Sequence, residues 1–244
     1  MSAHSDPRGA PIIGAPVRAA WPSHSTGSVF VALYGEAPGR HGADKSGIPF
    51  WGDRAARVCY AALAAAGAAS WPGGENTLKL LGVELIARDL RPTFRGVMLS
   101  NAYDRCPAAS PTRIRPPTSL ELKSESNTAR LREELSVARS RGCRLVLAMG
   151  RIAGQVLSDV LATLSPTPAG QSPMVLVVRP HPSAQGLLQA APDRGRGCKM
   201  ADLEAAWVQQ TAELILSVSS STAYNRPRSS KLALATNLIH PSSR

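Results

Sequence analysis

Cysteine is scarce in this 244-residue chain: there are four, and no two of them form a C-x-x-C pair. Cys59, Cys106, Cys143 and Cys198 are widely separated, which argues against a disulfide framework and is expected of free thiols in a reducing compartment. Acidic residues are also few. The 17 Asp and Glu stand against 28 Lys and Arg, a formal net charge of +11. A balance this basic favours an anionic partner, and nucleic acid is the commonest one. Long apolar runs are missing too. None approaches the ~20 residues that span a bilayer, and the opening "MSAHSDPRGAPIIGAP" lacks the apolar centre of a signal peptide. The chain therefore reads as cytoplasmic, with no membrane partner. What remains is 43% hydrophobic, enough for a core, on a length that suits one α/β domain with tails or at most two small domains.

Four short β-type runs stand out: Val29–Tyr34, Gly96–Ser100, Arg144–Met149 and Met174–Val178. Each is nearly continuous in aliphatic residues, as expected of strands buried on both faces. Helical patterns separate or follow them at Arg54–Ala66, Leu78–Leu90, Thr128–Arg141, Ile152–Leu164 and Met200–Leu216. This alternation predicts a three-layer α/β/α sandwich around a mainly parallel, four-stranded sheet. Residues 1–27, rich in Pro, Gly, Ser and Ala, read as a loose arm, and 28–216 as the folded domain. Residues 217–244 read as a disordered basic tail carrying Arg226, Arg228, Lys231 and Arg244 and no acid. Cys106–Asn127, with four prolines, reads as a long surface loop.

The segments after the strands are the informative ones. "GEAPG" follows the first, "NAYDRCP" the second, Gly150 and a helix start the third, and "RPHPSAQG" the fourth. Ligands of open parallel sheets bind beyond the carboxyl ends of the strands. Glu36, Asp44, Phe50, Asn101 and His181 can thus converge on one rim although they are distant in sequence.

Three motifs, in this order, resemble those of the uracil-DNA glycosylase superfamily over about Val29 to Leu216. They are Gly35-Glu36-Ala37-Pro38-Gly39 with the following Asp44-Lys45-Ser46-Gly47-Ile48-Pro49-Phe50, then Asn101 at a strand end, then His181-Pro182-Ser183-Ala184. They are most similar to the iron–sulfur, thermophile-type group. The resemblance implies a monofunctional DNA glycosylase that flips a pyrimidine out of DNA and cuts its N-glycosidic bond, leaving an abasic site. On this reading Phe50 stacks on the base and Asn101 reads its edge. Gly35 and Ala37 line the base site, and His181 steadies negative charge on the departing base. Asp44 is the expected acid for orienting water, with Glu36 as its rival. Ser183, Gln185 and Arg179 are expected to contact DNA, and the chain to act as a monomer. His240-Pro241-Ser242 repeats the third motif but follows no strand, and is set aside.

The match has departures. The spacer "RHGA" before Asp44 is one residue longer than in the similar enzymes, and Tyr103 and Asp104 intervene after Asn101. No cysteine precedes Cys59, so the four thiolates of a cluster are not available and no metal or other cofactor is expected. Together with the proline-rich 106–127 segment, these changes suggest a wider pocket mouth. They suggest a base with a bulky C5 substituent, such as a glucosylated hydroxymethylcytosine of phage DNA, in an antiviral role that some members of the superfamily hold. The alternatives are a uracil repair enzyme, a module that binds DNA or a base without turnover, and an enzyme acting on free nucleotides.

Overall fold

A computed structural model describes residues 12–23, 27–110, 113–166 and 172–223. In chain order, a two-residue strand β1 (Ile12–Ile13) precedes β2 (Val29–Gly35), a short helix α1 (Ala43–Ser46) and helix α2 (Ala56–Ala65). A small strand β3 (Ala69–Ser70), helix α3 (Gly82–Ala87) and strand β4 (Thr93–Phe94) lead to β5 (Gly96–Asn101). Strands β6 (Cys106–Ser110) and β7 (Arg113–Ile114) and helices α4 (Ser119–Leu122) and α5 (Glu125–Ser140) come next. The chain closes with β8 (Leu145–Met149), α6 (Arg151–Leu161), β9 (Val175–Arg179), α7 (Ala184–Ala190) and α8 (Met200–Ala223).

The central sheet has the order β5-β2-β8-β9, and every pairing in it is parallel. Alternation along these strands divides the core in two. Val31, Leu33, Val97, Leu99, Leu145 and Leu147 face α2, α3 and α8, where Leu63, Leu85, Trp207 and Ile215 meet them. Ala32, Tyr34, Met98, Val146 and Ala148 face α5 and α6 through Leu131, Leu135, Val156 and Leu157. A period of two on strands covered on both sides thus produces the expected three layers.

Four details depart from the sequence reading. First, β9 is an edge strand, and Val175 and Val178 are about half exposed, so it is not buried on both faces. Second, residues 12–23 are not a loose arm. Ile12 and Ile13 pair with β6, Val17 is buried, and Ala20 exchanges both backbone hydrogen bonds with Leu99 at 2.8 and 2.9 Å. The apolar residues among the prolines and glycines supply the burial, and β5 supplies an open edge to pair with. Third, the described residues of Cys106–Asn127 are structured: β6 and β7 pair antiparallel, and Thr118 caps α4 in a reciprocal box with Glu121. Its Pro116 and Pro117 stand just ahead of a helix start. Fourth, α8 runs through Ser217 to Ala223, so the tail cannot begin at 217. The rest of that tail, with its four basic residues and His240, lies outside the described residues, as do 1–11 of the arm.

Candidate active site

At the carboxyl edge of the sheet the chain leaves β2, β8 and β9 around a cavity of about 240 Å³. Its lining includes Gly35, Glu36, Ala37, Gly39, Phe50, Met149 and His181, together with Asp53, Arg54, Ala55, Ala56 and Cys59. At Gly35 a methyl group would come within 2.5 Å of Phe50 Cε1 and 2.8 Å of Asn101 Oδ1, so only glycine lets these two side chains meet over the strand end. Phe50 holds a left-handed backbone (φ 66°), unfavourable for a bulky residue and the sort of strain that collects at ligand sites. Asn101 is fully buried, and among the described residues neither its amide nitrogen nor its oxygen has a hydrogen-bond partner. A buried amide left unpaired costs free energy unless something else engages it.

The backbone carrying Asn101 is clamped from behind. Arg130 of α5 donates to the carbonyls of Asn101 (3.0 Å) and Ala102 (3.3 Å), to Asn127 Oδ1 (2.8 Å) and to Glu134 Oε1 (2.7 Å). Asn127 donates to the Ala102 carbonyl at 2.9 Å. The clamp aligns the strand end whose side chain faces Gly35.

His181 is fixed from three sides. Ser183 N–H donates to its Nδ1 at 3.2 Å, Trp207 Nε1 of α8 anchors the Pro180 carbonyl at 2.9 Å, and Gly150 N–H donates to the Arg179 carbonyl at 2.8 Å. Burial lowers the pKa of the ring and so keeps it neutral. With Nδ1 accepting, the neutral ring carries its proton on Nε2, which makes it a donor there. Ser183 also caps α7 by accepting Gly186 N–H at 3.2 Å, so both its polar groups have intramolecular work. Arg179 is tied to Gln210 of α8 at 2.7 Å, and Gln185 stands exposed on α7.

The acids are arranged differently from expectation. Asp44 does not line the cavity: its side chain is wholly buried against Gly14 of the N-terminal segment, with Lys45 Nζ 2.8 Å from its Oδ2. That contact is an ion pair without hydrogen-bond geometry, since neither Asp44 oxygen has a hydrogen-bond partner among the described residues. The cavity acid missed in the sequence is Asp53. Its Oδ2 accepts the N–H groups of Gly39 and Ala43, each at 3.3 Å. A side chain at Gly39 would collide with this carboxylate. The "RHGA" spacer therefore wraps Asp53. Burial outweighs these hydrogen bonds and raises the Asp53 pKa to about 6, and burial alone raises that of Glu36. None of the three departures read as widening the mouth lines the cavity; the spacer reaches it only indirectly, through the Ala43 N–H that holds Asp53. Tyr103, Asp104 and the 106–127 segment are not among its lining residues.

Cys59 and Cys143 belong to opposite faces of the sheet, and burial raises both thiols to about 12, so they are inert packing groups. Among the described residues no three His, Cys, Asp or Glu side chains group as a metal site, and no helix is long and apolar enough to cross a membrane.

The cavity thus offers an aromatic ring, a neutral imidazole donor and two carboxyl groups of raised pKa, while the buried Asn101 amide lies beside Gly35 but is not among the lining residues. This set can hold a flat polar ring and promote proton transfer beside it. No protein-family model matches the chain, and none of the curated proteins matches it.

Proposed function

We propose that the protein is a monofunctional DNA glycosylase acting on a flipped pyrimidine. The observation that carries this reading is the convergence of Phe50, Asp53 and His181 on one recess, with the unpaired Asn101 amide close against Gly35 in its wall. The base stacks on Phe50 and exchanges hydrogen bonds with Asn101. Departure of the base from C1′ leaves negative charge on it, which His181 Nε2–H stabilises, and cationic character on the sugar, which the carboxylates favour. Water adds to C1′ and yields its proton to ionised Asp53, which passes it to solvent, and solvent protonates the base anion as it leaves. Asp53 is the better water-orienting group of the two acids because two backbone N–H groups hold it.

A second reading concerns the base. A six-membered ring such as benzene fits a cavity of ~150 Å³. The 240 Å³ here, walled by Ala37, Ala55 and Ala56, exceeds that. The recess is open at its mouth, so it has room for a pyrimidine with a C5 substituent, such as a hydroxymethyl group whose attached sugar projects outward, as well as for uracil. Excision of such a base from phage DNA would serve antiviral defence.

The test is incubation with duplexes bearing uracil, 5-hydroxymethylcytosine or its glucosylated form, with mass spectrometry of the released base. Release of a free base and an alkali-labile site supports the reading. Intact DNA in every arm overturns it, and release of uracil alone overturns the C5 assignment.

A further inference from the structure

Arg54 has no role in the chemistry described above, yet it lines the cavity and is the one fixed cation among the lining residues. It is exposed, and among the described residues it has no ion-pair or hydrogen-bond partner. Its neighbours differ. Arg57, one turn on, is held by Glu204 at 3.0 Å, and Lys45 is held by Asp44. An unspent guanidinium thus stands at the lip of a recess whose other ionisable groups are Glu36 and Asp53 and a neutral His181.

We propose that Arg54 grips a phosphodiester flanking the flipped nucleotide, an inference that rests on the glycosylase reading. A nucleotide enters base first. Phe50 and Asn101 are buried, so the base lies deepest and its flanking phosphates stay at the mouth. There they meet two carboxyl groups whose negative charge repels them. A cation at the lip offsets that repulsion, and the planar guanidinium fork matches two phosphate oxygens at once. The contact positions the nucleotide without reading the base.

The test is a double-mutant cycle in which one partner is chemical. Binding is measured on a duplex with a tetrahydrofuran abasic analogue, carrying natural or uncharged methylphosphonate linkages on either side of it. Arg54→Met keeps the apolar stem and, at an exposed unpaired site, leaves the melting temperature unchanged. On natural DNA it is expected to weaken binding roughly 10- to 100-fold, the size of a charge-assisted hydrogen bond. Neutralising one flanking phosphate should weaken the wild type by a similar factor and the variant hardly at all. If the two losses multiply, if Arg54→Met binds natural DNA like the wild type, or if it impairs only excision of C5-substituted bases, the assignment is overturned. A wild type that binds this duplex but releases no base from any of the base-bearing duplexes sinks the glycosylase reading alone, because the cycle still decides the Arg54 contact. Absence of wild-type binding sinks both.

Discussion

Asp53 carries a tension between stability and use. Its pKa of about 6 lies above the ordinary 3.8, so its ionisation opposes folding. The sign follows from linkage. The native state holds the proton more tightly than the unfolded chain, so the cost is absent below about pH 4 and fully developed above about pH 6. Two pKa units correspond to about 3 kcal/mol, and solvent screening of a partly exposed group reduces this to about 1–2 kcal/mol. Asp53→Asn is therefore expected to raise the melting temperature at pH 7–8, with the gain vanishing near pH 4. The same change should slow single-turnover base release about 10²–10⁴-fold, the usual worth of a positioned base. Release by the wild type should rise with pH through about 6, since Asp53 must be ionised, and burial favours the neutral form of His181 over the same rise. Asp44→Asn gives the opposite pattern, with base release unchanged and stability altered, because Asp44 faces Gly14 and Lys45 rather than the cavity. A normal rate for Asp53→Asn alongside a dead Asp44→Asn would reverse the two roles.

Among the elements, α5 is the one that supports the site from a distance. Arg130→Ala removes five donations, one of them to Ser100 Oγ, and strands Glu134, which is buried; losing one partner of such a pair typically costs about 3–5 kcal/mol. Urea denaturation should register that loss. Selectivity between bases should fall as well, because the Asn101 backbone is released, an effect that simple destabilisation would not produce. The four sheet strands are legible in the sequence since each is an aliphatic run ended by glycine or a polar turn. Other elements leave weaker traces. The helix expected over Leu78–Leu90 breaks at Leu80, which is extended, and resumes at Gly82, whose backbone packs against Gly42. Short α7 is hidden behind the His-Pro-Ser motif. Asp53 escapes notice for a physical reason: its partners Gly39 and Ala43 are backbone amides brought to it by a folded-back loop, and amides leave no signature in residue type. Asp44 attracts attention because it sits where the motif resemblance puts an acid, whereas the direction of its side chain is set by contact with residues 30 positions away.

At the scale of the whole molecule, the N-terminal segment closes one margin of the sheet, and among the described residues no strand pairs with β9 at the other. Deleting residues 1–23 should uncover the β5 edge at Leu99 and the flank of Asp44. The expected outcomes are a lower melting temperature and concentration-dependent association by size-exclusion chromatography, as unpaired edges promote. An unchanged, monodisperse variant would mean that this covering contributes nothing.

The order of the sheet also sets a clock for synthesis. Central β2 is made early, but one of its two neighbours, β8, lies about 110 residues later. At ~5–20 residues per second, a ribosome needs roughly 5–20 s to deliver that neighbour. For about the first 60 residues of that interval VFVALYG has neither neighbour, and from then until β8 it has β5 on one flank and no partner on the other. A nascent chain of this kind is a natural client for holding factors, and its yield should depend on translation speed between Asn101 and Leu145 more than on anything that happens after release.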